Sequence, residues 1–109
     1  MSEELRDPSY FALTALADKP RHGYGIIQEV RVLSDGRMEL KPGTLYALLD
    51  RMAREGLVVV EREEVVDGRL RRYYALTPGG SKVLAEESRR RIAVSRAALR
   101  RLKVAGGFA

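Results

Sequence analysis

The chain has 109 residues, 45% of them apolar, a formal net charge of +5 and no cysteine. That length predicts one compact domain with at most one extended element, and a core so small gains from self-association. Without cysteine, disulfides and thiolate zinc sites are excluded. The acidic start, M-S-E-E-L-R-D-P, has no apolar h-region, and no run nears the roughly 18 apolar residues of a membrane span, so a cytoplasmic protein with no membrane partner is expected.

A basic balance points toward nucleic acid, but its distribution along the chain matters more. Residues 1–77 carry 12 Lys/Arg against 13 Asp/Glu, whereas residues 78–109 carry 8 against 2. The positive excess therefore sits in the C-terminal segment, and DNA binding has to be argued from where individual cations fall.

Taken in order, Asp7 is the expected N-cap of a first helix over about 8–18, with Pro8 at its opening position and Tyr10, Leu13, Leu16 and Ala17 on one face until Lys19-Pro20. The turn P-R-H-G-Y-G leads into a second helix over about 24–34, striped by Ile26, Ile27, Val30 and Leu33. Ser34-Asp35-Gly36 is turn chemistry, and Met38–Leu40 is expected as a strand stub. In the stretch from Lys41 to Gly56, Pro42 suits the first turn of a helix and Gly56 the residue past its end. Leu45, Leu48, Leu49 and Met52 make the buried face of this third helix. Gly43, Ala47, Asp50 and Arg54 fall opposite, flanked by Thr44, Tyr46 and Arg51.

Valine-rich L-V-V-V-E-R-E-E reads as a strand, Asp67-Gly68 as a hairpin turn and Leu70–Leu76 as the returning strand. Tyr73 and Tyr74 alternate across it, so one belongs to the core and the other is partly exposed. Thr77-Pro78 opens a fourth helix of about 25 residues, or about 37 Å at 1.5 Å per residue. The predicted fold class is mainly α with a small β-hairpin (α+β): a winged helix-turn-helix over 1–77, a long dimerisation helix over 78–105 and a flexible tail at 106–109.

Three short helices followed by a hairpin is the order in which a third helix enters a DNA major groove and the hairpin lies along the backbone. Four motifs add to it: H-G-Y-G-I at 22–26, K-P-G-T-L-Y at 41–46, E-G-L at 55–57 and R-R-Y-Y-A-L-T-P-G-G at 71–80. Over about residues 8–80 the chain resembles the PadR family of bacterial transcriptional regulators, in the short form that ends in one long helix. The resemblance implies a homodimeric repressor that binds a palindromic operator through helix 42–55 and the wing 62–72. It also implies a small aromatic effector held between the subunits' long and first helices. Two departures are visible. Lys41 stands where many members have a small polar N-cap, and there is no tryptophan on which an aromatic effector could stack.

The DNA-facing candidates follow from position. Thr44 and Tyr46 can donate to phosphate oxygens, and Lys41 adds charge where the helix dipole also favours an anion. Ala47 can meet a thymine methyl and Asp50 can accept from cytosine N4, although Asp50 could equally pair with Arg54 at i+4. Arg51 flanks the same face. Tyr24 is either a core residue or a phosphate donor, the latter supported by the resemblance. His22, the single histidine, reads as a turn or N-cap residue. Arg69, Arg71 and Arg72 are either a solvated edge or phosphate contacts, and a wing needs at least one cation that reaches the backbone. Glu61, Glu63 and Glu64 are placed away from the tip.

On the fourth helix Ala85, Ile92 and Leu99 repeat every seven residues, as do Ser88, Ser95 and Leu102, giving an a/d seam for a second copy. Intramolecular packing is the plainer alternative, but a helix so long overruns a three-helix core. Arg89, Arg96 and Lys103 then form a basic row that Glu3, Glu4 and Asp7 are expected to neutralise. The competing function is a winged-helix protein-interaction module without DNA. An enzyme is not supported: one histidine, no cysteine and no glycine-rich phosphate loop leave no catalytic constellation, and no cofactor is expected.

Overall fold

The computed structural model describes residues 5–104, in the order α1 (Asp7–Ala15), β1 (Arg21–His22), α2 (Gly23–Leu33), α3 (Pro42–Arg54), β2 (Val58–Val66), β3 (Arg69–Leu76) and α4 (Pro78–Leu102). Glu3, Glu4 and the expected tail at 106–109 lie outside the described residues. The chain is elongated, 56 × 32 × 21 Å.

Helix α1 is shorter than its periodicity suggests. Arg6 occupies the N-cap and Asp7 is already helical, so its carboxylate complements the dipole of the first turn instead of capping it. The helix stops at Ala15 because Leu16 and Ala17 donate back three residues, to Leu13 and Thr14, and Arg21 Nε takes the Ala15 carbonyl at 2.7 Å. A side chain from outside the helix thus satisfies a carbonyl that helix continuation would otherwise have used.

Helix α3 follows its apolar stripe closely, whereas of the expected α2 stripe Ile26 and Val30 are buried, Ile27 is half-buried and Leu33, at the end of the helix, is exposed. Ile26 and Val30 from one, and Leu45, Leu48, Leu49 and Met52 from the other, are buried together with Leu13. Complete burial of a leucine or isoleucine side chain contributes roughly 1.5–3 kcal/mol, so these two helices carry much of the core. The expected stub at Met38–Leu40 is not a strand. Ser34 Oγ accepts from the Met38 N–H at 2.8 Å, holding the segment to the end of α2, and Leu40 drops into the core.

Asp67 (φ 52°) and Gly68 (φ 76°) both adopt the left-handed conformation that a two-residue type I′ hairpin turn requires. Strands β2 and β3 pair from Val58↔Leu76 to Val66↔Arg69, with an irregularity between Val60 and Arg62. Tyr74 is buried in the core and Tyr73 only half-buried. A third strand was not legible: Arg21 and His22 pair with Tyr74 and Tyr73, so β3 is central and the order is β1-β3-β2.

Thr77 caps α4 by accepting from the Gly80 N–H at 2.9 Å, while its own hydroxyl donates to the Gly56 carbonyl at 2.6 Å. Gly80 rests on the Leu57 carbonyl so closely that a Cβ would overlap it. Leu84 is the last fully buried residue of α4, and most side chains beyond Arg91 are exposed.

Candidate nucleic-acid interface

The outer face of α3 presents Lys41, Thr44, Tyr46, Ala47 and Asp50, all exposed. Lys41 stands at the N-cap without a side-chain capping bond, which leaves its ammonium unengaged there. Among the described residues Asp50 has no ion pair with Arg54, so the alternative i+4 pairing does not form. Its carboxylate instead lies close enough to the Tyr74 hydroxyl to help raise that group's pKa, after the larger effect of burial.

Arg51, also exposed, has a partner within the chain. Its guanidinium donates to Ser9 Oγ at 2.8 Å and ties α3 to α1. Ser9 is the buried polar residue of the core, and this bond satisfies it.

Tyr24 resolves its two alternatives by exposure: at 65% it is no core residue, and it stands on the first turn of α2. Tyr46 reaches across to the same place, its ring end lying over Gly23, where Tyr46 Cζ would be 2.8 Å from an added Cβ. Glycine at position 23 is therefore what lets α2 and α3 bring their two tyrosines together. His22 is the N-cap of α2, Nδ1 accepting from the Gly25 N–H at 3.2 Å.

The wing is less purely basic than expected. Glu63 and Glu64, expected away from the tip, stand directly opposite Arg72 and Arg71 in the strand register. Arg72 donates to Glu63 at 2.8 Å. Tyr73 donates to Glu64 at 2.7 Å, the first cause of a carboxyl pKa held below its usual range, and Arg62 pairs with the same group at 2.8 Å while covering the Tyr73 ring. Among the described residues neither Arg69 nor Arg71 has a carboxylate within 4 Å. These two are the free cations of the wing.

Because β1 pairs only with Tyr73 and Tyr74, β3 has no neighbour on that side from Arg72 to the tip. The gap is a cleft of about 660 Å³ between the start of α2 and the wing, lined by His22, Tyr24, Tyr46, Arg69, Arg71 and Arg72 among others. Hydroxyl donors stand on one wall and guanidinium groups on the other. This suits an anionic strand that passes between them.

The seam of α4 divides in two. Ala85 and Ser88 lie toward the chain's own core, and Ser88 shares a hydrogen bond with Tyr10 of α1 at 2.9 Å, an intramolecular role. Ile92, Ser95 and Leu102 are exposed, and Leu99 is half-buried. Asp7 pairs with Arg91 at 2.9 Å within the same chain, not with the row of Arg89, Arg96 and Lys103. Arg91 suits it better because it already meets Glu87 and the Leu5 carbonyl and covers the Tyr10 ring. That ring is the one aromatic lining the small groove between α1 and α4, with one face covered by Arg91 and its hydroxyl bonded to Ser88.

Sequence reasoning missed β1, the Gly23–Tyr46 contact and the tie from Arg51 to Ser9. Only the glycine in H-G-Y-G was a signal for any of them.

Residues 12–86 match the model of the transcriptional regulator PadR-like family. Transcriptional regulator Rv3488 of Mycobacterium tuberculosis is 45% identical over 73 residues, a match spanning 67% of this chain and 64% of that protein's length. A PadR family transcription regulator from Clostridium difficile R20291 superposes with a TM-score of 0.71 at 25% identity, covering 86% of this chain and 96% of that one. Bacillus subtilis PadR, solved in complex with operator DNA, shares the fold with a TM-score of 0.66 at 22% identity, over 74% of this chain and 47% of that one. With a winged helix-turn-helix whose third helix, hairpin and long fourth helix fall in this arrangement, the chain belongs to the PadR-like family of transcriptional regulators.

Proposed function

We propose that the protein is a homodimeric DNA-binding repressor that reads a palindromic operator. The observation that carries the reading is the cleft: two exposed tyrosines from α2 and α3 face Arg69 and Arg71 across a space open to solvent. Phosphates seated there fix the register, and Ala47 and Asp50 then meet base edges in the major groove. Lys41 and Thr44 guide the same helix start. The likeness to a regulator solved with its operator supports this use of the fold.

A second copy is supported by α4, whose outer half exposes Ile92, Val94 and Leu102 beyond the reach of its own core. Two copies present two readers, so a palindrome with half-sites about one helical turn apart is the matching target. The near balance of charge over residues 1–77 favours, as a second reading, a protein-interaction module without DNA.

The separating experiment measures binding of purified protein to a duplex selected from a random-sequence library, by anisotropy across a salt series. Binding should weaken steeply with salt, and Arg71→Ala should flatten the log–log slope by about one unit per copy engaged. No retention of DNA at low salt would leave the interaction module as the better reading.

A further inference from the structure

The DNA-binding reading, on which this inference rests, leaves the imidazole of His22 with only a capping role, yet its ring is fixed far more firmly than a cap needs. Nδ1 is held by the Gly25 N–H. The ring stands perpendicular to Tyr73, with centroids 5.3 Å apart. Its Cε1–Nε2 side lies against Gly25, 3.7 Å from where a Cβ would be. With Nδ1 obliged to accept, a neutral ring must carry its proton on Nε2.

The surroundings keep the ring neutral. Arg21 precedes it on β1, Tyr24 follows on α2, Tyr46 approaches from α3, and Arg62, Glu64, Arg71 and Tyr73 face it from β2 and β3. Burial first and Arg71 second lower its pKa, against a weaker pull from Glu64. Among the described residues Nε2 has no hydrogen-bond partner, and no buried side-chain nitrogen or oxygen is left unsatisfied, so this donor is open to the cleft that the ring lines.

The geometry points to His22 Nε2–H as a neutral hydrogen-bond donor to a DNA phosphate in the cleft between α2 and the wing, working beside the charged Arg71. The two contacts differ in what they release. A guanidinium displaces condensed counterions, so its contribution depends on salt, whereas an uncharged donor adds affinity that salt does not remove. His22 is then a positioning residue that fixes one phosphate relative to both α2 and the sheet.

The test uses the full-length protein and the duplex selected on the wild type. In His22→Asn the side-chain oxygen can still cap α2, so the melting temperature should stay near that of wild type, but the donor at the Nε2 position is gone. Affinity should fall about tenfold at every salt concentration with the slope unchanged. His22→Gln, whose amide nitrogen reaches the same place, should recover part of the loss. Wild-type affinity in the Asn variant, a slope change of a full unit, or a Gln variant no better than Asn would each overturn the inference while leaving DNA binding intact. A wild-type protein that selects no duplex overturns both.

Discussion

Helix α3 and the wing would both face the same duplex, yet they are built on opposite principles. The helix buries four large apolar side chains and sets out short, mostly uncharged groups on a rigid front. The wing buries little beyond Tyr74 and carries alternating arginine and glutamate in direct cross-strand register. One region is fixed by side-chain packing and the other by its backbone ladder and tight turn, with exposed ion pairs along its surface. On the proposed reading, base discrimination would sit on a surface with few charges, and the neighbouring wing would supply the electrostatic grip.

The comparison breaks most visibly if the support of α3 is removed. Leu49→Ala takes a fully buried side chain from behind the recognition face and should cost about 2–5 kcal/mol, read as a lowered denaturation midpoint. An equivalent truncation on the wing, Leu70→Ala, removes an exposed residue and should stay within about 0.5 kcal/mol. A loss of similar size from both would mean that the wing is packed as α3 is.

Gly23→Ala tests the contact that sets Tyr46 of α3 over the start of α2. The added methyl displaces the end of the Tyr46 side chain, which can swing away, so stability should change by less than about 1 kcal/mol while DNA affinity falls severalfold. Unaltered affinity would show that Tyr46 has no need of its place over Gly23. On the wing, Glu63→Gln releases Arg72 from its partner and should raise affinity by about two- to fivefold at low salt, an effect that disappears as salt is added. No gain would mean that Arg72 does not reach the duplex.

The smallest expected effect is on pH dependence. Because the folded-state pKa of His22 lies below its ordinary value, the neutral form is the one that stabilises the fold. Its contribution is fully present above the unfolded-state pKa, near 6.5, and is lost as the pH falls through the lower folded value. Urea midpoints should therefore decline on acidification below about pH 6.5, and less so in His22→Asn. An identical decline in both proteins would assign it to the carboxylates.

Much of this was legible in the sequence wherever the cause was local. The i, i+3, i+4, i+7 spacing of Leu45, Leu48, Leu49 and Met52 gave α3, Asp67-Gly68 gave the turn, and Thr77-Pro78 gave the start of α4. What escaped depends on partners far along the chain. Strand β1 is two residues long and exists only because Tyr73 and Tyr74, some fifty positions away, offer an edge. Helix α1 ends early because of Arg21, and Arg51 gives one of its donors to Ser9, forty-two positions earlier. The pairing of Glu63 with Arg72 and Glu64 with Arg71 follows directly from the two-residue Asp67-Gly68 turn, whereas the one-residue irregularity between Val60 and Arg62, which resets the register only at the root of the hairpin, could not be placed from periodicity.

The seating of Gly80 on the Leu57 carbonyl, locked by Thr77 to the Gly56 carbonyl, has a mechanical consequence. It leaves no room for a side chain between the root of α4 and the backbone that follows α3, so the start of α4 is seated directly on residues 56–57. Over an arm of about 37 Å, a rotation of about 5° at that seat moves the far end of α4 by about 3 Å.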